Sequence, residues 1–167
     1  MRYNKNHGDK GMKKISLYLD TSVLNFALTN KSALALHKKA TLDLLEEIKR
    51  NKYEAFISEQ VFIEINRASK EEIKALTSLI NSLDLAILSI NGEIEELADK
   101  YVSEKLIPVK YRGDAVHIAI ATVNNLNVIV SWNFEHMVKM KTRHGVNVIN
   151  TLLGYKPIEI LSPEEVG

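Results

Sequence analysis

Residues 15–24 place the strongest constraint on how this chain can fold. They are largely apolar as far as Asp20, after which Thr21 and Ser22 follow and a helical pattern begins. A short apolar run of this kind predicts a buried parallel strand that leads directly into a helix. In open α/β sheets, ligands bind at the carboxyl ends of the strands. Two interpretations are therefore open for Asp20, a helix cap and a part of a ligand site.

Length and composition limit the remaining choices. The chain has 167 residues, enough for one domain with a substantial core, and a net charge of +1, so a nucleic-acid role would need local basic patches. It contains no cysteine, which excludes disulfides and thiolate metal sites and suits a cytoplasmic location. No window approaches the length of a membrane-spanning helix, so we expect no membrane association. We predict a disordered extension over residues 1–11 and a single domain over residues 12–167.

Apolar runs alternate with amphipathic segments along the rest of the chain. After the first strand, further strands are predicted at residues 53–57, 85–90, 127–131 and 146–150, and the tail is read as a surface strand or loop. Residues 113–125 are apolar on nearly every side and predict a buried central helix. The alternation predicts an α/β fold, a three-layer α/β/α sandwich with a central, mostly parallel five-stranded sheet.

Three acids occupy unusual places in this pattern. Besides Asp20, Glu64 borders the apolar stripe of its helix, where a carboxylate must be paired, hydrogen-bonded or metal-bound. A salt bridge to Arg67 or a lysine is the simpler alternative for Glu64. Asp114 begins the most apolar helix, where the helix dipole alone also favours an acid. Asn133 follows the fourth strand, a position that turn chemistry also explains.

These groups can converge at one edge of the sheet, because two of them follow strands and two lie on helices. Carboxylates brought together repel one another unless a cation lies between them. Oxygen ligands in a chain without cysteine favour Mg²⁺ or Mn²⁺ over zinc. Such ions suit the hydrolysis of a phosphodiester.

Four segments carry a resemblance to a known family. They read YLDTSVL at residues 18–24, SEQVFIEI at 58–65, DAVHIAIA at 114–121 and VSWNFEH at 130–136. In this order they resemble the PIN-domain family of metal-dependent ribonucleases, many of which are VapC-type toxins of VapBC toxin–antitoxin pairs. The resemblance covers roughly residues 14–150. It implies a Rossmann-like sandwich whose acidic cluster binds Mg²⁺ or Mn²⁺ and cleaves RNA to leave a 5′-phosphate and a 3′-hydroxyl.

The resemblance also implies roles for individual residues. It places four catalytic positions at Asp20, Glu64, Asp114 and Asn133. The three acids would be the metal ligands, and the hydroxyl of Thr21 or Ser22 would steady the site. The fourth family position is commonly aspartate, so Asn133 is a departure that removes one charge and weakens a second metal site. Glu135 is a possible substitute.

Several neighbouring residues have two interpretations. His117 lies one turn after Asp114 and either orients a carboxylate or packs beside the core. Arg112 precedes Asp114 and either contacts substrate phosphates or belongs to a solvated surface. We expect Trp132 to pack in the core and His136 to lie at the surface.

The leading functional hypothesis is a divalent-metal-dependent endoribonuclease, the toxin component of a VapBC-type pair. RNA would be its substrate, a cognate antitoxin its partner, and a homodimer its assembly. One alternative is a noncatalytic PIN-like module that binds RNA or protein, which Asn133 and the near-neutral charge favour. Another is a phosphatase of the haloacid-dehalogenase type. Such enzymes usually carry a second aspartate two residues after the first, where this chain has Ser22.

Overall fold

The computed structural model of the chain describes residues 13–167, so the predicted extension over residues 1–11 lies outside the described residues. Its strands, in chain order, are β1 (Ser16–Leu19), β2 (Glu54–Ser58), β3 (Leu85–Leu88), β4 (Val128–Val130) and β5 (Glu159–Leu161). Its α-helices are α1 (Thr21–Leu28), α2 (Ala35–Lys49), α3 (Glu59–Ile65), α4 (Lys70–Asn81), α5 (Gly92–Ser103), α6 (Arg112–Val123), α7 (Met140–Leu153) and α8 (Pro163–Val166). Short 3₁₀ turns precede α2 and α6, at Ser32–Leu34 and Val109–Tyr111.

The five strands form one sheet in the order β3-β2-β1-β4-β5, and every neighbouring pair is parallel. Side chains of β1 alternate between two hydrophobic cores, because successive residues of a strand point to opposite faces. Tyr18 packs with α5, α6 and α7, whereas Leu17 and Leu19 pack with α1, α2 and α4. This arrangement confirms the predicted three-layer α/β/α sandwich.

Helix α6 is the buried helix that its apolar sequence predicted. Eight of its residues are buried, from Ala115 to Thr122. It packs extensively against α5 on one face of the sheet. None of the helices within residues 13–167 is both long and apolar enough to span a bilayer.

The prediction of a fifth strand at residues 146–150 is wrong. This segment lies inside α7, whose buried residues recur at helical spacing: Thr142, Val146, Ile149 and Asn150. Its local alternation of apolar and polar residues imitated a strand, and only a longer window reveals the helical period. The fifth strand is β5, which pairs with β4 in the C-terminal tail, where the sequence predicts a surface strand or loop.

Candidate functional site

The sheet topology selects one crevice for a site. The strand order reverses between the central neighbours β1 and β4, and ligands in open parallel sheets bind at such a switch point, beyond the carboxyl ends of the strands. Asp20 follows β1 and Ser131 follows β4. The Ser131 hydroxyl donates a hydrogen bond of 2.6 Å to Asp20 Oδ2. The first predicted acid therefore lies in the crevice that the topology singles out.

The structure confirms the helix-cap interpretation of Asp20 and places its side chain in the crevice where a ligand would bind. It is the N-cap of α1, accepting from the backbone N–H of Val23 at 3.3 Å. Its Oδ1 also accepts the hydroxyl of Ser22 at 2.5 Å. Burial raises the pKa of Asp20, against the opposing charge of His117 and the hydrogen bonds from the serine hydroxyls.

Asn133 connects Asp20 to Asp114. Its backbone N–H donates to Ser131 Oγ at 2.9 Å, and its Nδ2 donates to Asp114 Oδ2 at 2.9 Å. The amide orientation is fixed from the other side, because the backbone N–H of His136 donates to Asn133 Oδ1 at 3.0 Å. An ionised aspartate at this position would offer Asp114 no hydrogen-bond donor. The four residues Asp20, Ser131, Asn133 and Asp114 are hereafter called the acidic chain.

The carboxylate of Asp114 is strongly perturbed. Burial raises its pKa to about 6, the charges of Asp20 and Glu64 add to the rise, and His117 and the Asn133 hydrogen bond oppose it. Burial is the largest cause of this rise, and the neighbouring like charges of Asp20 and Glu64 make a smaller contribution because they also disfavour ionisation.

Glu64 is held by several hydrogen bonds. Its side chain accepts from the Thr21 hydroxyl, from Gln60 Nε2 at 2.9 Å and from His117 Nε2 at 3.1 Å. The alternative interpretation, a salt bridge from Glu64 to Arg67 or a lysine, is wrong, because these three donors occupy the carboxylate instead. Burial alone would raise the pKa of Glu64, but the hydrogen bond and charge of His117, with the other two donors, lower it to about 2.

The start of α6 lies directly against the Glu64 carboxylate. A Cβ atom on Gly113 would lie 2.9 Å from Glu64 Oε1 and 2.9 Å from Gln60 Nε2. Gly113 therefore permits a close approach that a side chain would obstruct, one residue before Asp114. This contact places Glu64, the third predicted acid, beside the start of α6, which carries Asp114.

His117 connects Glu64 to β1. It is buried, and its Nδ1 lies 2.6 Å from the hydroxyl of Tyr18, which lies 2.6 Å from Ser58 Oγ. Burial lowers the pKa of His117, but the charge and hydrogen bond of Glu64, aided by Asp20 and Asp114, leave it above the ordinary value. The sequence interpretation missed Tyr18, although a polar aromatic residue inside an apolar strand was a usable signal.

Other residues depart from the expected positions. Arg112 forms ion pairs with Glu95 and with Asp99, the latter at 2.7 Å, so its guanidinium is engaged with α5. The expectation that His136 lies at the surface is wrong, because its ring is buried and stacks on Tyr111 at 4.0 Å between centroids. The Glu135 side chain is 81% exposed.

The oxygen atoms of the acidic chain are ligands that a hard divalent cation prefers, although its side chains do not converge on one point. Asp20 offers a buried carboxylate and Asp114 a half-buried one, both with raised pKa values, and a cation would relieve the repulsion between them. Across residues 13–167, no three His, Asp or Glu side chains already converge as a preformed ion site. Asp20, Asp114 and Glu64 are the residues that could hold an ion here, but they do not form a ready-made ligand set.

Comparisons with known proteins show which family this chain resembles in sequence and which solved structures it resembles in fold. The family model described as the PIN domain matches residues 17–135. The fold is similar to the VapBC2 complex of Rickettsia felis bound to a promoter DNA fragment, with a TM-score of 0.54, 16% identity, and 89% of this chain and 98% of that chain covered. It is also similar to the sarcin–ricin-loop-cleaving toxin VapC20 of Mycobacterium tuberculosis, with a TM-score of 0.54, 12% identity, and coverages of 85% and 98%.

A search of curated protein sequences gives no match. The family model covers the first three motif segments in full, the fourth as far as Glu135, and the whole acidic chain. Membership decides against the phosphatase alternative, which rested on the strand-end aspartate alone. This chain belongs to the PIN-domain family.

Proposed function

We propose that this protein is a divalent-metal-dependent endoribonuclease and the toxin component of a VapBC-type toxin–antitoxin pair. The observation that carries the proposal is the acidic chain at the switch point, where Asn133 joins Asp114 to the Ser131–Asp20 pair. Family membership and the fold similarity to two VapC-containing structures support it. Mg²⁺ or Mn²⁺ would be the cofactor, bound by Asp20, Glu64 and Asp114.

Each protein group has a distinct task in this proposal. Ser22 and Ser131 orient the two oxygens of Asp20, and Asn133 orients Asp114. Thr21 and the other donors keep Glu64 ionised, ready to bind a cation. The bound ion would activate water for attack on phosphorus and stabilise charge on the leaving oxygen. No side chain need act as a nucleophile.

The surface beside the acidic chain supports RNA as the substrate. Phe134 follows Asn133 and is 51% exposed, and Tyr111 lies near the start of α6 and is 37% exposed. Exposed aromatic rings stack on unpaired bases, and Lys110, whose Nζ lies 5.4 Å from the Tyr111 ring centroid, offers a cation for phosphates. Trp132 is buried in the core as expected, so Phe134 is the better candidate for stacking.

The proposed assembly includes an antitoxin and a second copy of the chain. We propose a cytoplasmic location for it. One structure of similar fold is a VapBC complex, which supports an antitoxin partner. Helix α7 exposes an apolar stripe formed by Met140, Val148 and Leu152, which supports a homodimer interface. Light scattering of the purified protein, with and without a co-expressed antitoxin, tests both statements.

The deciding experiment is RNA cleavage by purified protein in Mn²⁺ and in EDTA, with the Asp20→Asn variant beside wild type. We expect cleavage only with Mn²⁺, and a loss of more than about 100-fold in the variant, because losing even an outer-shell partner typically costs 10–100-fold. Asp43→Asn on α2 is the matched control, since its side chain is 64% exposed. Retained cleavage by Asp20→Asn would refute the assignment.

A noncatalytic PIN-like module is the second candidate function. It is favoured by the hydrogen bonds that already engage Glu64 and by the open shape of the acidic chain. Titration with Mn²⁺ separates the two candidates. A module without catalytic function should show no Mn²⁺ site that depends on Asp20 and Asp114.

A further inference from the structure

Tyr18 lies in the middle of β1 and is completely buried, among the side chains that pack against α6. Its hydroxyl contacts His117 Nδ1 and Ser58 Oγ, each at 2.6 Å. Burying a hydroxyl costs stability unless it is hydrogen-bonded, and phenylalanine would fill nearly the same volume. Packing therefore explains the ring of Tyr18 but not its oxygen.

The hydroxyl belongs to a set of hydrogen bonds that ends at Glu64. While His117 Nδ1 faces Tyr18, Nε2 lies 3.1 Å from Glu64 Oε1. A half-turn of the imidazole would place carbon atoms against both partners. The ring keeps one orientation in either protonation state. Neutral His117 accepts the Tyr18 proton at Nδ1, protonated His117 donates from Nδ1, and Nε2–H faces Glu64 in both.

We propose that Tyr18 is a positioning residue that holds the His117 imidazole with its Nε2–H directed at the Glu64 carboxylate. This inference rests on the proposed function, in which Glu64 is a metal ligand. Ser58 ties Tyr18 to the helix that carries Glu64, because Ser58 Oγ also accepts the backbone N–H of Gln60 at 3.2 Å and caps α3. Strand β1 therefore sets two of the proposed ligands, Asp20 at its end and Glu64 through Tyr18.

The chain offers a matched control for removing the Tyr18 hydroxyl. Tyr101 is equally buried in the same hydrophobic core, but its hydroxyl donates to Asn150 Oδ1 at 2.5 Å, away from the acidic chain. Tyr18→Phe and Tyr101→Phe each remove one buried hydroxyl, so both should unfold at a lower temperature. We expect Tyr18→Phe alone to weaken Mn²⁺ binding, by about tenfold, and Tyr101→Phe to change it by less than about twofold. Equal effects of the two variants on Mn²⁺ affinity would overturn the proposal.

A double-mutant cycle tests whether Tyr18 acts through His117. Mn²⁺ affinity is measured by electron paramagnetic resonance for wild type, Tyr18→Phe, His117→Ala and the double variant. Because Tyr18 is proposed to act only by holding the imidazole, its effect should vanish in the His117→Ala background. A loss that persists undiminished in that background would overturn the proposal.

Nuclear magnetic resonance of the metal-free protein separates this inference from the proposed function. We expect Tyr18→Phe to shift the imidazole ¹⁵N signals of His117, and Tyr101→Phe to leave them in place. Unchanged signals in Tyr18→Phe overturn the inference, whereas shifted signals in a protein that binds no Mn²⁺ overturn only the proposed function. If Tyr18→Phe does not fold, the wild-type spectrum decides. It should show a slowly exchanging Tyr18 hydroxyl proton close to the His117 ring, and its absence overturns the inference.

Discussion

Replacing Asp114 by asparagine should stabilise the metal-free protein at alkaline pH. The carboxylate has a pKa of about 6 in the folded protein against an ordinary value of 3.8, so folding disfavours its ionised form. At about 1.4 kcal/mol per pH unit, the cost approaches about 3 kcal/mol. Because the folded pKa is raised, the wild-type protein is most stable while Asp114 is protonated. It keeps this stability in full below pH 3.8 and loses it as the pH rises through 6. Partial solvent exposure of the side chain makes this figure an upper limit.

The variant removes the ionisable group and keeps the hydrogen bond, since an asparagine oxygen still accepts from Asn133. For a chain of this length, 3 kcal/mol corresponds to a rise of about 6–12 °C in unfolding temperature. Thermal unfolding in EDTA at pH 8 and at pH 4 is the assay. The gain of Asp114→Asn over wild type should be largest at pH 8 and fall below about 1 kcal/mol at pH 4. The exposed Asp43→Asn control should change stability by less than about 1 kcal/mol at either pH.

Addition of Mn²⁺ should reverse the order of the two proteins. A ligand at 1,000 times its Kd stabilises the folded state by about 4.1 kcal/mol, which exceeds the upper limit of about 3 kcal/mol for the gain of Asp114→Asn, and only the wild type retains both carboxylates of the acidic chain. If Asp114→Asn is no more stable than wild type at pH 8 in EDTA, burial and the neighbouring acids do not disfavour the ionised Asp114 carboxylate as the structure implies. If Mn²⁺ raises both unfolding temperatures equally, Asp114 is not a ligand.

Three further substitutions test the surroundings of the site. Gly113→Ala should weaken Mn²⁺ binding by about tenfold, because its methyl group would lie 2.9 Å from a Glu64 oxygen. Gly92→Ala should have no effect in the same titration, because its methyl group would have no atom within 4 Å. Asn133→Asp adds a negative charge to the acidic chain, so it should lower the unfolding temperature in EDTA and strengthen Mn²⁺ binding; a stabilised metal-free variant would contradict this. Phe134→Ala should weaken binding of single-stranded RNA to the Asp20→Asn protein in EDTA by about 1–3 kcal/mol, measured by fluorescence anisotropy, and unchanged affinity would exclude stacking there.

The fold followed closely from local sequence patterns. The apolar run of β1 and the all-round apolar α6 were recognised because burial on both faces leaves no polar side to the element. The error at residues 146–150 had a local cause as well. Five residues cannot distinguish a short alternating strand from one face of a helix, whereas Val146 and Ile149 belong to a longer helical period.

The site was only partly readable. Asp20 and Asp114 were predicted as site residues because Asp20 directly follows an apolar strand and Asp114 lies at the start of an apolar helix, where a carboxylate is unusual. The resemblance indicated the hydroxyl of Thr21 or Ser22, and Ser22 does contact Asp20, but no local pattern indicates that Ser131 contacts it as well. Local sequence does not distinguish Ser131 and Tyr18 from ordinary strand residues, or His136 from a surface histidine, because the stacking of the His136 ring on Tyr111 is a tertiary contact.

The sequence by itself determined most of the elements, the parallel sandwich and which acids are candidates for a site, because these depend on periodicity and burial over short distances along the chain. Only the tertiary structure decided that Asn133 would connect Asp20 to Asp114, and that Tyr18 would reach Glu64 through His117. These contacts join residues from separate strands and helices. Hydrogen bonds and pKa values depend on distances of a few ångströms, and those are set by how the layers pack.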